Sequence, residues 1–209
     1  MSDEKRDVDA AYALKTPEDN LKLYAGWAET YDQDFAARMN FLMPDHVAQL
    51  FCELGGRGPV LDAGAGTGLA GQALAKRSDV IIDAIDLSPE MLDVAETKGV
   101  YRDLIVANLL KPLPLKEGAY NGVVSSGTFT HGHVGPDALD HLMRVAGSGA
   151  IFVLTIKQEH YEEHGFAEKF EGFGDRIREF RTVTRAIYGA GEAGEHIDDQ
   201  GLIVSFRKA

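Results

Sequence analysis

The sequence predicts an α/β protein whose helices cover both faces of an open, mostly parallel sheet. After residue 58, short apolar segments alternate with helical patterns, and this alternation is typical of a parallel sheet. The segments are mostly apolar throughout, as expected for strands buried on both faces. The C-terminal part differs, because strand-like runs at 180–188 and 202–206 are joined by a polar, glycine-rich loop. This pattern predicts an antiparallel hairpin that closes one edge of a seven-stranded sheet.

A helical extension precedes this core. We expect residues 1–54 to form an N-terminal helical cover and residues 55–209 to form the core of one compact domain. Thr16-Pro17 has the sequence of a helix start, with a capping threonine and a proline in the first turn. The helical pattern then runs, with breaks, to about residue 35 and resumes at 45–54.

The core elements follow in regular order. Glycines and prolines separate them, since these residues mark turns and helix ends. The predicted strands are 60–63, 80–87, 104–106, a fourth that begins at 123, and 150–156. The predicted helices between them are 69–77, 88–99 and 136–145.

Composition limits the partners and the compartment. Acidic residues outnumber basic ones by 33 to 21, giving a net charge of −12. Such a surface repels a phosphate backbone, so we expect no nucleic-acid partner. The single cysteine, Cys52, excludes an internal disulfide, and no apolar run reaches the length of a membrane span. We therefore expect a cytoplasmic protein without a membrane partner.

The most informative segment is VLDAGAGTG at 60–68, in which a strand runs into a glycine-rich turn and then a helix. Glycines permit positive φ and allow the backbone to approach a ligand closely. In an open α/β sheet this turn lies at the carboxyl edge, where ligands bind. The sequence therefore predicts a ligand site at this turn.

Two kinds of ligand compete for the turn. The run from Gly66 to Gly71 matches the G-x-G-x-x-G pattern of dinucleotide sites, which favours a nicotinamide cofactor. Asp62, at the end of the strand, would repel a pyrophosphate and attract an ammonium or sulfonium group. Asp86, 20 residues beyond the loop, is placed to accept both ribose hydroxyls of an adenosine. The carboxylate favours a cationic amino-acid ligand over a dinucleotide.

Two runs in this order, VLDAGAGTG and IDLSPEMLDVA, resemble the first motifs of the class I methyltransferases, which have a Rossmann-like fold. The resemblance covers about residues 24–156. The N-terminal pattern YxxWAETYD is similar, more narrowly, to the methyltransferase-like proteins named for the Williams–Beuren syndrome region.

The resemblance implies S-adenosylmethionine as cofactor and assigns roles to single positions. Asp62, Gly64, Gly66 and Gly68 would hold its methionine end, and Asp86 its ribose. The remaining cofactor-binding positions that it implies are Ser88, Met91, Asn108 and Leu109 near the adenine, Tyr31 near the carboxylate, and Ser126 at the end of the fourth strand.

Methyl transfer needs no metal, and a base is needed only when the acceptor must first lose a proton. His131 and His133 follow the fourth strand and are our candidates for such a base; the alternative is that they are surface loop residues without a role. No third ligand with suitable spacing accompanies them, so we expect no metal site. A further polar cluster at 158–164 either lines the acceptor pocket or forms a solvated helix face.

These observations favour a methyltransferase that acts on a small molecule. An NAD-dependent oxidoreductase and a non-catalytic S-adenosylmethionine-binding protein are the alternatives. A homodimer is one assembly that the sequence leaves open.

Overall fold

The computed structural model describes residue 28 and residues 31–37, 39–130, 134–190 and 199–209. Seven strands form one sheet in the order β3-β2-β1-β4-β5-β7-β6. The strands are β1 (Val60–Ala63), β2 (Ile82–Asp86), β3 (Asp103–Val106), β4 (Tyr120–Phe129), β5 (Ala146–Lys157), β6 (Ile177–Ala186) and β7 (Gln200–Lys208). The first five are parallel, and β7 pairs antiparallel with both β5 and β6. The predicted Rossmann-like fold with its C-terminal hairpin is confirmed.

Helices lie between the strands, as predicted. They are α1 (Met43–Glu53), α2 (Leu69–Ala75), α3 (Pro89–Thr97), α4 (Ala138–Val145), α5 (Gln158–Glu163) and α6 (Phe166–Phe173). A π-helical turn at Tyr31–Ala37 precedes α1. The predicted helix start at 16–17 lies outside the described residues. No helix in the described ranges is long and apolar enough to cross a membrane.

The fourth and fifth strands are longer than the sequence indicates. β4 continues to Phe129, so Ser126, which we expected at the end of the strand, lies within it. The pairing with β5 shifts register between Ser125 and Phe129, and Gly127 has a φ of +79°. This bulge bends β4 at the carboxyl edge.

The two faces of the sheet have separate apolar cores. One core contains Leu61, Phe129, Phe152 and Phe206 with α4 and α6, and the other packs α1 and α2 against the opposite face. These buried strands hold the carboxyl edge of the sheet in place. The loops after β1, β2, β3 and β4 meet at that edge.

Candidate functional site

The glycine-rich turn after β1 depends on left-handed backbone. Gly64, Gly66 and Gly68 have φ values of +69°, +54° and +87°. A Cβ at Gly64 would overlap the side chain of Thr128 on β4, whereas a Cβ at Gly66 would meet nothing within 4 Å. Gly64 therefore allows close packing on β4, and Gly66 leaves open space beside the turn.

Asp86 ties this turn to the start of α3. Its Oδ2 accepts a hydrogen bond from the backbone N–H of Gly66 at 2.8 Å, and its Oδ1 accepts one from the N–H of Ser88 at 2.9 Å. Burial raises the pKa of Asp86, and these backbone donors act against that rise. Ser88 caps α3, because its Oγ accepts a hydrogen bond from the N–H of Met91. The carboxylate is thus held by backbone at the wall of a cavity.

The cavity lies at the carboxyl edge and brings together most of the residues predicted for the site. Its walls come from the turn after β1, the ends of β2 and β4, the segment after β3, and the π-helical turn. The predicted residues that line it are Tyr31, Gly64, Gly66, Asp86, Ser88, Met91, Asn108, Leu109 and Ser126.

Two predicted residues, Asp62 and Gly68, are not on the cavity wall. Asp62 is fully buried, and its Oδ2 accepts hydrogen bonds from the N–H of Gly71 at 3.0 Å and from the Tyr101 hydroxyl at 2.7 Å. Its Oδ1 has no partner among the described residues. Burial raises the pKa of Asp62 to about 6, although both hydrogen bonds act to lower it. The Asp62 carboxylate therefore lies beneath the turn. The sequence had instead predicted that it would lie beside the ligand.

Tyr101 also explains the glycine at position 71. A Cβ at Gly71 would overlap the Tyr101 hydroxyl, and one at Gly68 would lie 2.8 Å from its Cε2. Gly68 and Gly71 thus make room for this ring, which accounts for the match to a dinucleotide pattern without a pyrophosphate. No motif in the sequence identified Tyr101.

A second contact that the sequence did not reveal fastens the π-helical turn to the site. The Thr67 hydroxyl donates to Asp32 Oδ1 at 2.5 Å, and Lys98 forms an ion pair with the other oxygen of Asp32. Asp32 adjoins Tyr31, so this contact holds Tyr31 at the cavity.

Asn108 Oδ1 accepts a hydrogen bond from the N–H of Leu110 at 2.8 Å, which fixes its side chain in the turn after β3. Ser126, on β4, also lines the cavity, and its buried Oγ has no partner among the described residues.

The polar cluster after β5 forms α5, whose side chains are mostly exposed and do not line the cavity. Only the solvated-face alternative fits this placement. His160 is its buried member, and its Nε2 lies 3.1 Å from the carbonyl oxygen of Val134 on the cavity wall. His131 and His133 lie outside the described residues. The described ranges contain no cluster of side chains suited to a metal ion.

The buried polar atoms fit S-adenosylmethionine. An isolated buried carboxylate without a cationic partner is costly, and a ligand that carries an ammonium and a sulfonium group would relieve that cost. Asp86 lines the cavity itself, 20 residues from Gly66, where ribose hydroxyls can be bound. Met91 and Leu109 contribute apolar side chains to the cavity wall.

Comparisons with known proteins point the same way. Residues 60–149 match the model of a methyltransferase domain. Methyltransferase-like protein 27 from Homo sapiens is 30% identical over 176 residues, which cover 82% of this chain and 71% of the human protein. The 18S rRNA (guanine-N(7))-methyltransferase from Bos taurus is 36% identical over 66 residues, or 32% of this chain and 23% of the bovine protein.

The fold is shared with solved structures. A TehB-like SAM-dependent methyltransferase from Corynebacterium glutamicum has a TM-score of 0.63 at 21% identity, covering 88% of this chain and 99% of that one. Since the human relative matches most of both chains, this chain belongs to the class I S-adenosylmethionine-dependent methyltransferases.

Proposed function

We propose that this methyltransferase modifies a small, uncharged and largely apolar acceptor. The observation that carries this proposal is the chemistry of the cavity-lining residues to which the cofactor prediction assigns no role. Phe41, Pro44, Leu110 and Val134 form much of it. Asp86 is the one carboxylate or cation among the lining residues within the described ranges. An acceptor with a phosphate or carboxylate group would find no cation among the described lining residues to offset its desolvation.

In this proposal the cofactor lies along the carboxyl edge. Asp86 accepts hydrogen bonds from the ribose hydroxyls, and Met91 and Leu109 contact the adenine. Gly64 and Gly66 let the backbone approach the methionine end, which Tyr31 and Ser126 flank. When bound, S-adenosylmethionine supplies an electrophilic methyl group on a positively charged sulfur.

The chain's own contribution is to place the acceptor and to exclude water from it. Positioning of this kind supplies much of the rate of a transfer that needs no covalent enzyme intermediate. His131 and His133 remain our candidates for a base when the acceptor must lose a proton. The absence of a nucleic-acid partner stays a prediction, supported by the net charge of −12. A cytoplasmic location also stays a prediction, supported by the single cysteine.

Thermal shift tests the cofactor first. S-Adenosylmethionine and S-adenosylhomocysteine should both raise the melting temperature, because ligands that bind only the folded state stabilise it. NAD should not. Transfer of labelled methyl into a metabolite extract, with ribosomal RNA in a parallel reaction, then tests the acceptor. Label in apolar metabolites supports the proposal, label in RNA contradicts it, and binding without transfer indicates a non-catalytic protein.

Asp86→Ala tests the ribose assignment. We expect nucleoside binding to weaken by about 1–3 kcal/mol, the cost of leaving buried hydroxyls unpaired. Titration calorimetry measures this change. An unchanged dissociation constant would place the ribose elsewhere.

A further inference from the structure

Tyr101 reaches the site from outside the cavity. It lies between the end of α3 and the start of β3, and its hydroxyl donates to Asp62 Oδ2 at 2.7 Å. The same oxygen accepts the N–H of Gly71 on α2. One oxygen of Asp62 is thereby bound from two other segments of the chain.

The Tyr101 ring fits into its place because two neighbouring residues are glycines. Gly68 and Gly71, on the turn and on α2, both lie where a Cβ would collide with the ring or its hydroxyl. Asp62 and Tyr101 are 39 residues apart in sequence. Two glycines that accommodate one side chain indicate that its position matters to the turn.

The charge of Asp62 has no cationic partner in the described part of the chain. Its interactions are the hydrogen bonds from Tyr101 and Gly71 and the like charge of Asp86 at the end of β2. Its Oδ1 is buried and accepts nothing there. Gly64 and Ala65, a few residues further along, line the cavity. A negative charge is thus kept beneath the part of the turn that faces the ligand.

We propose that Tyr101 is a positioning residue for S-adenosylmethionine: its hydroxyl holds the Asp62 carboxylate in its ionised form, and that charge attracts the cationic methionine end of the cofactor. A hydrogen-bond donor favours the ionised form of a carboxylate, and a charge acts strongly through poorly solvated surroundings. The inference rests on the proposed function, because it assumes that the methionine end lies against Gly64 and Gly66.

The test compares two tyrosines that each donate a hydroxyl to a buried aspartate. Tyr101→Phe removes the donor to Asp62, and Tyr120→Phe removes a hydroxyl that donates to the buried Asp83 at 2.9 Å, on the other face of the sheet. Binding of S-adenosylmethionine and S-adenosylhomocysteine is measured by calorimetry from pH 5.0 to 7.5. The titratable groups that face Asp62 in the described residues are Tyr101 and Asp86, and Asp86 is present in every variant, so its effect is common to all of them.

In the native protein, affinity should fall as the pH drops through about 6, the pKa of Asp62. Tyr101→Phe should move this midpoint to higher pH and weaken binding about tenfold near pH 6.5, the effect of a hydrogen bond to a charged group. Tyr120→Phe should leave both the affinity and the midpoint unchanged. A purely structural role of Tyr101 would not move the midpoint.

Equal midpoints in the native protein and Tyr101→Phe would overturn the inference while leaving the proposed function intact. Failure of the native protein to bind either nucleoside would overturn both. If Tyr101→Phe does not fold, Asp62→Asn gives the decision, since an amide keeps an acceptor for Tyr101 but loses the charge. Weakened binding without a pH midpoint near 6 supports the inference, and native affinity across the range contradicts it.

Discussion

Two buried carboxylates on adjacent strands, Asp62 on β1 and Asp83 on β2, differ in how the protein treats their charge. Each accepts a tyrosine hydroxyl, and each side chain is at most 1% exposed. They point to opposite faces of the sheet, since Asp62 pairs with Ala84 and Asp83 with Leu61. Asp83 is also bound by both Nε and Nη2 of Arg102, whereas Asp62 has no cation within the described residues.

The comparison separates a structural charge from one kept for a ligand. The buried Asp83 carboxylate, with its half-exposed partner Arg102 and the Tyr120 hydroxyl, joins β2 to β4 and to the segment before β3. A buried carboxylate without a cation costs stability, and proteins keep such groups mainly at functional sites. The difference between the two aspartates indicates the cationic ligand of this family as directly as the glycine motif does.

Breaking the structural pair should have the largest effect. Arg102→Met leaves Asp83 buried with Tyr120 as its remaining side-chain partner, and we expect a loss of about 2 kcal/mol in the free energy of unfolding, because solvent already screens the half-exposed Arg102. Urea denaturation at pH 7 measures it. Arg102 binds Asp83 on the face of the sheet opposite the one where Tyr101 binds Asp62. The affinity of the folded protein for the nucleosides should therefore not change. A parallel loss of affinity would show that the two regions are coupled.

Removing the charge of Asp62 should have the opposite effect on the free energy of unfolding. Folding raises the pKa of Asp62 from 3.8 to about 6, mainly through burial, so the folded state binds more protons between these values. Stability from this group is therefore highest below pH 4 and falls as the pH rises to 6. The raised pKa corresponds to a cost of about 3 kcal/mol at pH 7.

Asp62→Asn should consequently stabilise the protein by about 1–2 kcal/mol at pH 7, since burial of an amide without a full set of partners offsets part of the gain. Urea titrations at pH 4 and pH 7 should show a smaller loss of stability with rising pH than in the native protein. A destabilised variant at pH 7 would mean that the protein itself compensates the charge of Asp62.

The smallest expected effect comes from two glycines, of which one lies at the ligand cavity and the other does not. Gly66 and Gly99 both have positive φ, at +54° and +64°, and a Cβ would meet nothing within 4 Å at either. Alanine at each should cost about 1 kcal/mol through backbone strain alone. Only Gly66 lines the cavity, so Gly66→Ala alone should weaken S-adenosylhomocysteine binding. Equal affinities in the two variants would show that the ligand does not approach the turn closely.

The sequence predicted the parts of the molecule that depend on local pattern. Strand and helix order followed from apolar periodicity, and Asp86 followed from its place at the end of a strand, about 20 residues past the glycine-rich turn. The roles of Ser88 and Met91 came from the resemblance to the class I methyltransferases. The bulge in β4 at Gly127 was missed, because a register shift depends on the neighbouring strand.

The side-chain contacts that hold the site residues in place from outside the cavity could not be predicted from the sequence. Tyr101 meets Asp62 across 39 residues of sequence, and Lys98 meets Asp32 across 66, so tertiary packing alone brings them together. The sequence placed Asp62 at the end of a strand but could not indicate whether it would face the ligand or lie beneath the turn. That distinction depends on tertiary contacts, namely the Tyr101 ring that packs against Gly68 and Gly71 and the bond from its hydroxyl to Asp62.

Proton release during cofactor binding tests most directly whether the charge of Asp62 attracts the cofactor. At pH 6 about half of the Asp62 carboxyls are protonated in the free protein, because their pKa is about 6. Binding of S-adenosylmethionine should therefore release about half a proton, detected by calorimetry in buffers of different ionisation enthalpy. The release should disappear in Asp62→Asn. The same proton count in the native protein and in Asp62→Asn would contradict a role for this carboxylate in attracting the cofactor.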